Sequence, residues 1–511
     1  MPELAGLAVL PSRQRPVPGE MMGDVPPQFS AALPLVGRKR ELDQLASLVG
    51  IRDRSVSAAI LLAGDAGVGK TRLVTELRAQ AQSQDWRVVT GHCLDFGDTA
   101  LPYLPFSEIF GRLADDPSAI TEAMVDAHPA VRRLQPGRRL MSGSASQEDE
   151  NVDRGQLFEA VHDVFEELAR ESPLLVVVED VHWADQSTRD LLSFLFARQF
   201  SHPVSIVASY RSDDLHRKHP LRATVAQWAR TPGVHRVQLA PLEDIEVRTL
   251  VRAIHPKPLQ ESDMHAIVTR AEGNAFFVEE LVVATELGGR ALPDELADLL
   301  LVRLDRLDDE ANQAVRAASC AGRQVSHELL ARVVALEPRA LDRALRTAVE
   351  SHVLVAVGAA GYAFRHALLA EAVYDDLLPG ERVRLHGAFA TALKNRDVDG
   401  TAAELARHAR AAHDITTAVT ASIEAGDDAM SVGGPDEAAR HYELALELAT
   451  DPRFESKEQL DLIDLTSKAS DAVSAAGNPY RALAFGPGPR RESRGEGAPA
   501  GPGPARSPRC R

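Results

Sequence analysis

Apolar residues along this chain follow two spacings, and the change from one to the other divides it. In the first half they form short unbroken runs, Ala59-Ile60-Leu61-Leu62-Ala63 and Leu174-Leu175-Val176-Val177-Val178. Unbroken apolarity over strand length predicts strands buried on both faces of a parallel sheet, because a half-solvated strand would alternate. Trp86-Arg87-Val88-Val89, Val204 to Ala208 and Val237 to Leu239 add three more short strands. Thr71 to Gln82 and Leu157 to Leu168 have the wider spacing of helices. Strands alternating with helices predict a doubly wound α/β domain, whose ligands gather at the carboxyl ends of the strands.

Beyond Pro241 the pattern is helical to about residue 350. Leu354 to Val357 and Tyr362 to Phe364, separated by Gly358-Ala359-Ala360-Gly361, then predict a small hairpin. Helices follow over Arg365 to Leu377 and Arg382 to Leu393, and from about residue 400 the chain is alanine-rich and helical. Gly426, Ala429, Ala438, Tyr442 and Ala445 fall at the spacing of a 34-residue helical-pair repeat of tetratricopeptide type, with Gly433-Gly434-Pro435 at its turn. A second unit starts near Leu460, turns at Gly477-Asn478-Pro479 and places a small residue, Ala482, in its second helix. From Gly486 the composition switches to Gly, Pro, Arg and Ala, which cannot continue a helix. A repeat interrupted in mid-helix has nothing to cap its apolar face. The expectation is truncation or a reading-frame shift; a natural flexible tail is the alternative.

At 511 residues the chain exceeds one core, and its 44% apolar content is that of an ordinary globular protein. The formal charge of −17 argues against nucleic-acid binding by the whole surface. Cys93, Cys320 and Cys510 lie far apart without metal-ligand spacing, which predicts a reducing compartment. No apolar run reaches the length of a membrane span, and no basic region precedes the patch Leu4 to Leu10, so a cytoplasmic protein is expected. Residues 1–30 are proline-rich and aperiodic, a disordered leader in which Met21-Met22 could be the true start.

The first strand run ends at Gly64-Asp65-Ala66-Gly67-Val68-Gly69-Lys70-Thr71, a G-x-x-x-x-G-K-[ST] phosphate loop with a strand before it and a helix after it. Glycines let the backbone curl so that N–H groups face phosphate oxygens, with the positive helix end behind them. Lys70 is expected to reach the β- and γ-phosphates of ATP, and the Thr71 hydroxyl to hold Mg2+. Glu179-Asp180 ends the second buried strand, where one carboxylate suits Mg2+ and the other can orient or activate water. Trp183 fits either packing beneath the site or ligand contact. Arg211, just past a strand end, fits either a γ-phosphate contact or simple solvation. Gly273-Asn274-Ala275-Phe276-Phe277 is either a tight turn near a base or a helix start.

Together these segments resemble the signal-transducing P-loop ATPases with numerous domains, in particular the large ATP-binding LuxR-type regulators. The matching pieces, in order, are Val36-Gly37-Arg38, the phosphate loop, Tyr103-Leu104-Pro105-Phe106 and Glu179 to Asp185. Ser209-Tyr210-Arg211, Gly273 to Leu281 and Phe364-Arg365-His366-Ala367-Leu368 complete the series. The resemblance implies an AAA-like P-loop core over 31–240, a helical lid over 241–287, a winged-helix segment over 288–395 and TPR-like repeats over 396–485, with a tail over 486–511. It implies nucleotide contacts from Gly64, Asp65, Ala66, Gly67, Val68, Gly69, Lys70, Thr71 and Arg72. Val36, Gly37 and Arg38 would line the adenine pocket, Arg211 would sense the γ-phosphate, and His366 would meet the ADP phosphate in the off state. Lys70, Glu179, Asp180 and Arg211 become the catalytic set, with Thr71, Glu179 and Asp180 around Mg2+.

Three departures matter. Glu179 stands where the family usually has Asp, so either acid fits the metal role. Ala275 replaces the usual proline of the lid, and no helix-turn-helix follows residue 485, so DNA binding is not assigned. The expected function is a slowly hydrolysing ATP/ADP switch of a transcriptional regulator, with an inducer or protein ligand on the repeats and ATP-dependent self-association. The alternatives are an AAA-type origin-recognition or remodelling ATPase and a nucleotide-stabilised, non-enzymatic scaffold.

Overall fold

The structure is a computed structural model. It describes residues 35–53, 57–94, 101–115, 127–134, 154–216, 219–255, 257–286, 304, 307–322, 324–351, 353–358, 361–395, 398, 400–454 and 460–485. The leader, the polar run Ser142 to Asp149 and the tail from Gly486 lie outside the described residues.

Five parallel strands form the first unit: β1 (Ala59–Gly64), β2 (Arg87–His92), β3 (Leu174–Glu179), β4 (Val204–Arg211) and β5 (Val234–Leu239). Their order is β2-β3-β4-β1-β5, so β1 and its phosphate loop sit between β4 and β5. The unbroken apolar runs are explained by the two faces. Ile60, Leu62, Val177 and Val207 pack under α1 (Lys39–Val49) and α2 (Lys70–Gln82). Leu61, Ala63, Val176, Val178 and Ile206 pack on the other face with α3 (Leu104–Asp115), α4 (Arg154–Glu171), α5 (Gln186–Ala197) and α6 (Pro220–Trp228). Alternate residues thus enter different cores, and β1, β3 and β4 are buried on both faces, whereas the edge strand β5 exposes His235, Arg236 and Gln238. Phe110 and Phe165 stack at 5.9 Å within the larger core.

Three helices follow, α7 (Asp244–Ile254), α8 (Glu261–Ala271) and α9 (Ala275–Glu286), around a small core of Val247, Ile267, Val278 and Val282. The next unit holds α10 (Asp309–Ala321), β6 (Gln324–Ser326), α11 (His327–Val333), α12 (Pro338–Glu350), β7 (Leu354–Val357), β8 (Gly361–Phe364), α13 (Ala367–Asp376) and α14 (Pro379–Lys394). Here the expectation of unbroken helix to about residue 350 is corrected. β6 pairs antiparallel with β8, making the hairpin a three-stranded sheet of order β6-β8-β7. Three residues with one apolar member cannot show a period, so only the partner strand reveals this one.

The arm consists of α15 (Ala402–Ala411), α16 (Ile415–Ser431), α17 (Pro435–Ala449), α18 (Leu462–Ala475) and the short α19 (Pro479–Ala482). The α16–α17 and α18–α19 turns fall at Gly433-Gly434-Pro435 and Gly477-Asn478-Pro479, as expected. Gly426 is required by contact, because a Cβ there would stand 2.4 Å from the Tyr442 ring. The α16–α17 turn also reaches back to the first unit. The Tyr103 hydroxyl donates to Gly433 O at 3.0 Å, Arg133 donates to Ser431 O at 3.2 Å, and Val432 joins the larger sheet core. Among the described residues no helix is long and apolar enough to cross a membrane.

Candidate functional site

β1 runs straight out of the core into the phosphate loop, and α2 begins at Lys70. Gly67 and Gly69 hold φ of +76° and +105°, left-handed backbone that lets the loop curl. Gly67 also has neighbours, since a Cβ there would meet Asn274 Oδ1 at 2.6 Å. Val68 is buried in the α1–α2 core and pins the loop to its helix. Lys70 is 8% exposed, and its Nζ donates to Gly64 O and Asp65 O, each at 2.8 Å. Burial lowers the Lys70 pKa; the Asp180 charge opposes this and the nearby Arg211 cation reinforces it.

The carboxylates sit across the loop from Lys70. Thr71 Oγ1 donates to Glu179 Oε2 at 3.1 Å, joining the first helical turn to the end of β3. Glu179 Oε1 lies 3.8 Å from His92 Nε2, and the other ring nitrogen of His92 is 2.9 Å from Glu108. Asp180 has a left-handed backbone (φ 60°), and its N–H donates to Ser209 Oγ at 3.1 Å. The donor set fits Mg2+, being a hydroxyl and a carboxylate beside Lys70 of the glycine-rich loop. Among the described residues no cluster of three or more His, Cys, Asp or Glu could hold a metal alone. A magnesium ion at this place would take its remaining ligands from nucleotide phosphates and water.

Arg211 closes the far side. It is the register partner of Gly64 on the neighbouring strand and is 8% exposed. Its guanidinium lies 4.8 Å above the half-buried Trp183 ring, so the tryptophan packs against the arginine. Arg211 pairs with Glu371 of α13 at 3.2 Å and lies 3.6 Å from Asp214. The neighbouring Asp213 carboxylate accepts the Ala66 N–H at 3.2 Å.

The remaining predicted residues hold the loop to its surroundings. Arg38 donates to Val68 O at 3.2 Å and to Ala240 O at 2.6 Å, while Val36 packs with the core of α7 to α9. Gly37 lies so close to α7 that a Cβ would meet Glu246 at 2.7 Å. Arg72 pairs with Glu76 one turn along α2 at 2.7 Å. Asn274 is the start of a helix and also a clamp. Its Nδ2 donates to Ala66 O at 2.8 Å, its Oδ1 caps Phe276 N–H, and Phe276 N–H donates to Gly67 O at 3.1 Å. The His366 ring lies 4.3 Å from that of Phe276, at the N-cap of α13, so the histidine reaches the loop through one aromatic neighbour. Sequence reasoning singled out none of His92, Glu108, Asp213 or Glu371. Asp213 had a signal in its position two residues after Arg211, but Glu371 had none.

Known proteins resemble this chain in part, most directly over the first unit. Residues 34–207 match the family model of the AAA ATPase domain. The matched ATPase domain ends inside β4 and contains the phosphate loop, Glu179 and Asp180. Over 484 residues the chain is 28% identical to an uncharacterised protein of Rhizobium meliloti, covering 87% of this chain and 46% of that one. The chain thus spans about half the length of this curated relative. Among solved structures it is similar to a signal transduction ATPase with numerous domains from Pyrococcus horikoshii that carries a tetratricopeptide repeat sensor. There the identity is 14%, the cover 89% of this chain and 64% of that one, and the TM-score 0.49. It is also similar to the Orc1 protein of Aeropyrum pernix in complex with DNA, at 18% identity, 67% and 93% cover and a TM-score of 0.33.

Proposed function

We propose that this chain is an ATP-binding, slowly hydrolysing signalling switch, part of a transcriptional regulator, whose nucleotide state is passed to the helical arm. One observation carries the proposal: separate units converge on a single phosphate loop. Asn274 and Phe276 of the lid bond its carbonyls, and Glu371 of the next unit pairs with the arginine beside it. An ATPase domain gripped in this way cannot change its phosphate contacts without disturbing the units that grip it.

Magnesium nucleotide, when bound, supplies the γ-phosphoryl group and the metal charge that neutralises it. Lys70 and the loop N–H groups from Gly64 to Arg72 hold the phosphates. The Thr71–Glu179 bond supports a metal side formed by these two, with Asp180 beside them to share the metal or to orient water and accept its proton. Arg211 neutralises charge at the terminal phosphate, His366 reports an ADP-filled site, and Val36, Gly37 and Arg38 flank the base. The units are a core over 31–240, a lid over 241–287, a winged-helix segment over 288–395 and TPR-like repeats over 396–485. An inducer or protein ligand binds the repeats in the cytoplasm, and ATP favours self-association.

The test is hydrogen exchange over residues 402–485 with ADP and with a non-hydrolysable Mg-ATP analogue. Exchange that differs between the two supports a switch; identical exchange with both nucleotides bound would favour the scaffold.

A further inference from the structure

Arg211 ends β4 as the register partner of Gly64, the first residue of the phosphate loop, and its surroundings are specific. Its flat face is covered by Trp183 at 4.8 Å, and its edge is taken by one carboxylate oxygen of Glu371, at 3.2 Å from Nη1 and 3.3 Å from Nη2. Asp214, from the loop after β4, lies 3.6 Å from the same guanidinium. Arg211 is also near enough to Lys70 for its charge to act on the ammonium group. We infer that Glu371 sets the relative affinity of this chain for ADP and ATP, by holding Arg211 until a γ-phosphate takes the guanidinium from it. This rests on the nucleotide-switch reading above.

Two anions compete for one guanidinium. ADP ends at the β-phosphate, which Lys70 serves, and asks nothing of Arg211. ATP adds a further phosphate on the side where Arg211 stands. That phosphate and the Glu371 carboxylate are both anions seeking one guanidinium, and sharing it would bring two like charges together. Part of the ATP interaction is therefore offset by release of Glu371, whereas ADP binds with the pair intact. Release also has a mechanical consequence. Glu371 lies on α13, whose N-terminus stays tied to the phosphate loop through His366 and Phe276. Freed at Glu371 and held at His366, α13 is positioned to pivot, carrying the unit that leads into the arm.

The test uses the full chain and its Glu371→Gln, Arg211→Gln and doubly substituted forms, each checked by thermal unfolding. ATP and ADP compete, with Mg2+ present, against a fluorescent methylanthraniloyl-ADP. Glu371→Gln is expected to tighten ATP binding roughly fivefold or more while ADP changes by less than about twofold. In the Arg211→Gln background the same substitution is expected to have no effect on the ATP to ADP ratio. In the nucleotide-free protein, hydrogen exchange of α13 is expected to speed up in Glu371→Gln. A ratio in Glu371→Gln equal to that of the wild type overturns the inference while leaving nucleotide binding established. A wild type that binds neither nucleotide overturns the switch reading and this inference with it.

Discussion

Ser187 Oγ donates a 2.5 Å hydrogen bond to Glu437 Oε2, joining positions 250 residues apart. The other oxygen of the same carboxylate accepts the Gln186 N–H at 2.9 Å, and Glu437 is only 1% exposed. The first turn of α5, which follows Glu179-Asp180 closely, is thereby closed by a side chain of the arm. Any change at the end of β3 has a short route to α17.

Because the Ser187 hydroxyl is fully buried, truncating its acceptor should cost more than an ordinary surface change. Glu437→Ala is expected to lower stability by about 1–3 kcal/mol. It should also speed hydrogen exchange in α16 and α17 while leaving β1 and β3 protected. A urea midpoint and exchange pattern unchanged from the wild type would show that the arm does not depend on this contact.

Asp185 makes the same junction sensitive to pH. Its carboxylate caps α5 by accepting Thr188 N–H at 2.7 Å and also accepts Tyr103 N–H at 3.4 Å. Burial and then the Glu437 charge raise its pKa from 3.8 to about 7. Arg189 on the same helix bonds Ala184 O and Gln186 Oε1 instead. Between pH 4 and 7 the native state keeps a proton that the unfolded chain has lost. Stability should therefore fall as pH rises through that window and level off above it. Asp185→Asn keeps the cap and removes this term, so it should gain on the wild type by at most about 1.4 kcal/mol per pH unit. Parallel pH profiles of the two proteins would contradict the assignment.

Gly426→Ala tests the packing of the arm. The added methyl would push the Tyr442 ring away and disturb its 2.6 Å hydrogen bond to Asp427. A loss of about 1–3 kcal/mol is expected, measured by denaturant unfolding of the full chain. A neutral result would mean that the two helices separate more easily than their contact suggests.

What was legible in the sequence depended on how local the cause is. β1 and β3 were readable because burial on two faces leaves an unbroken apolar run. The phosphate loop was readable because eight consecutive residues, Gly64 to Thr71, contain its chemistry. The α16–α17 pair was readable because Gly426 and Tyr442 are neighbours at a fixed spacing. β6 was not, since its only evidence is a partner strand some 35 residues later. The contacts that give the site its character were out of reach for the same reason. Arg211 with Glu371, Ala66 with Asn274 and Ser187 with Glu437 each join distant positions, and neither partner carries a local mark of the other. Arg211 alone left solvation and phosphate contact equally open; its burial against Trp183 and Glu371 excludes the first.

The central claim is that Gly64 to Thr71 binds nucleotide phosphate through Lys70. Calorimetric titration of the wild type and Lys70→Ala with Mg-ATP tests it most directly. Lys70 Nζ satisfies two loop carbonyls, so thermal unfolding should accompany the titration to show that the variant is folded. The account predicts saturable binding by the wild type and affinity at least roughly tenfold weaker in folded Lys70→Ala, the effect of losing one charge-assisted phosphate contact. A folded Lys70→Ala protein that binds Mg-ATP as tightly as the wild type would contradict it.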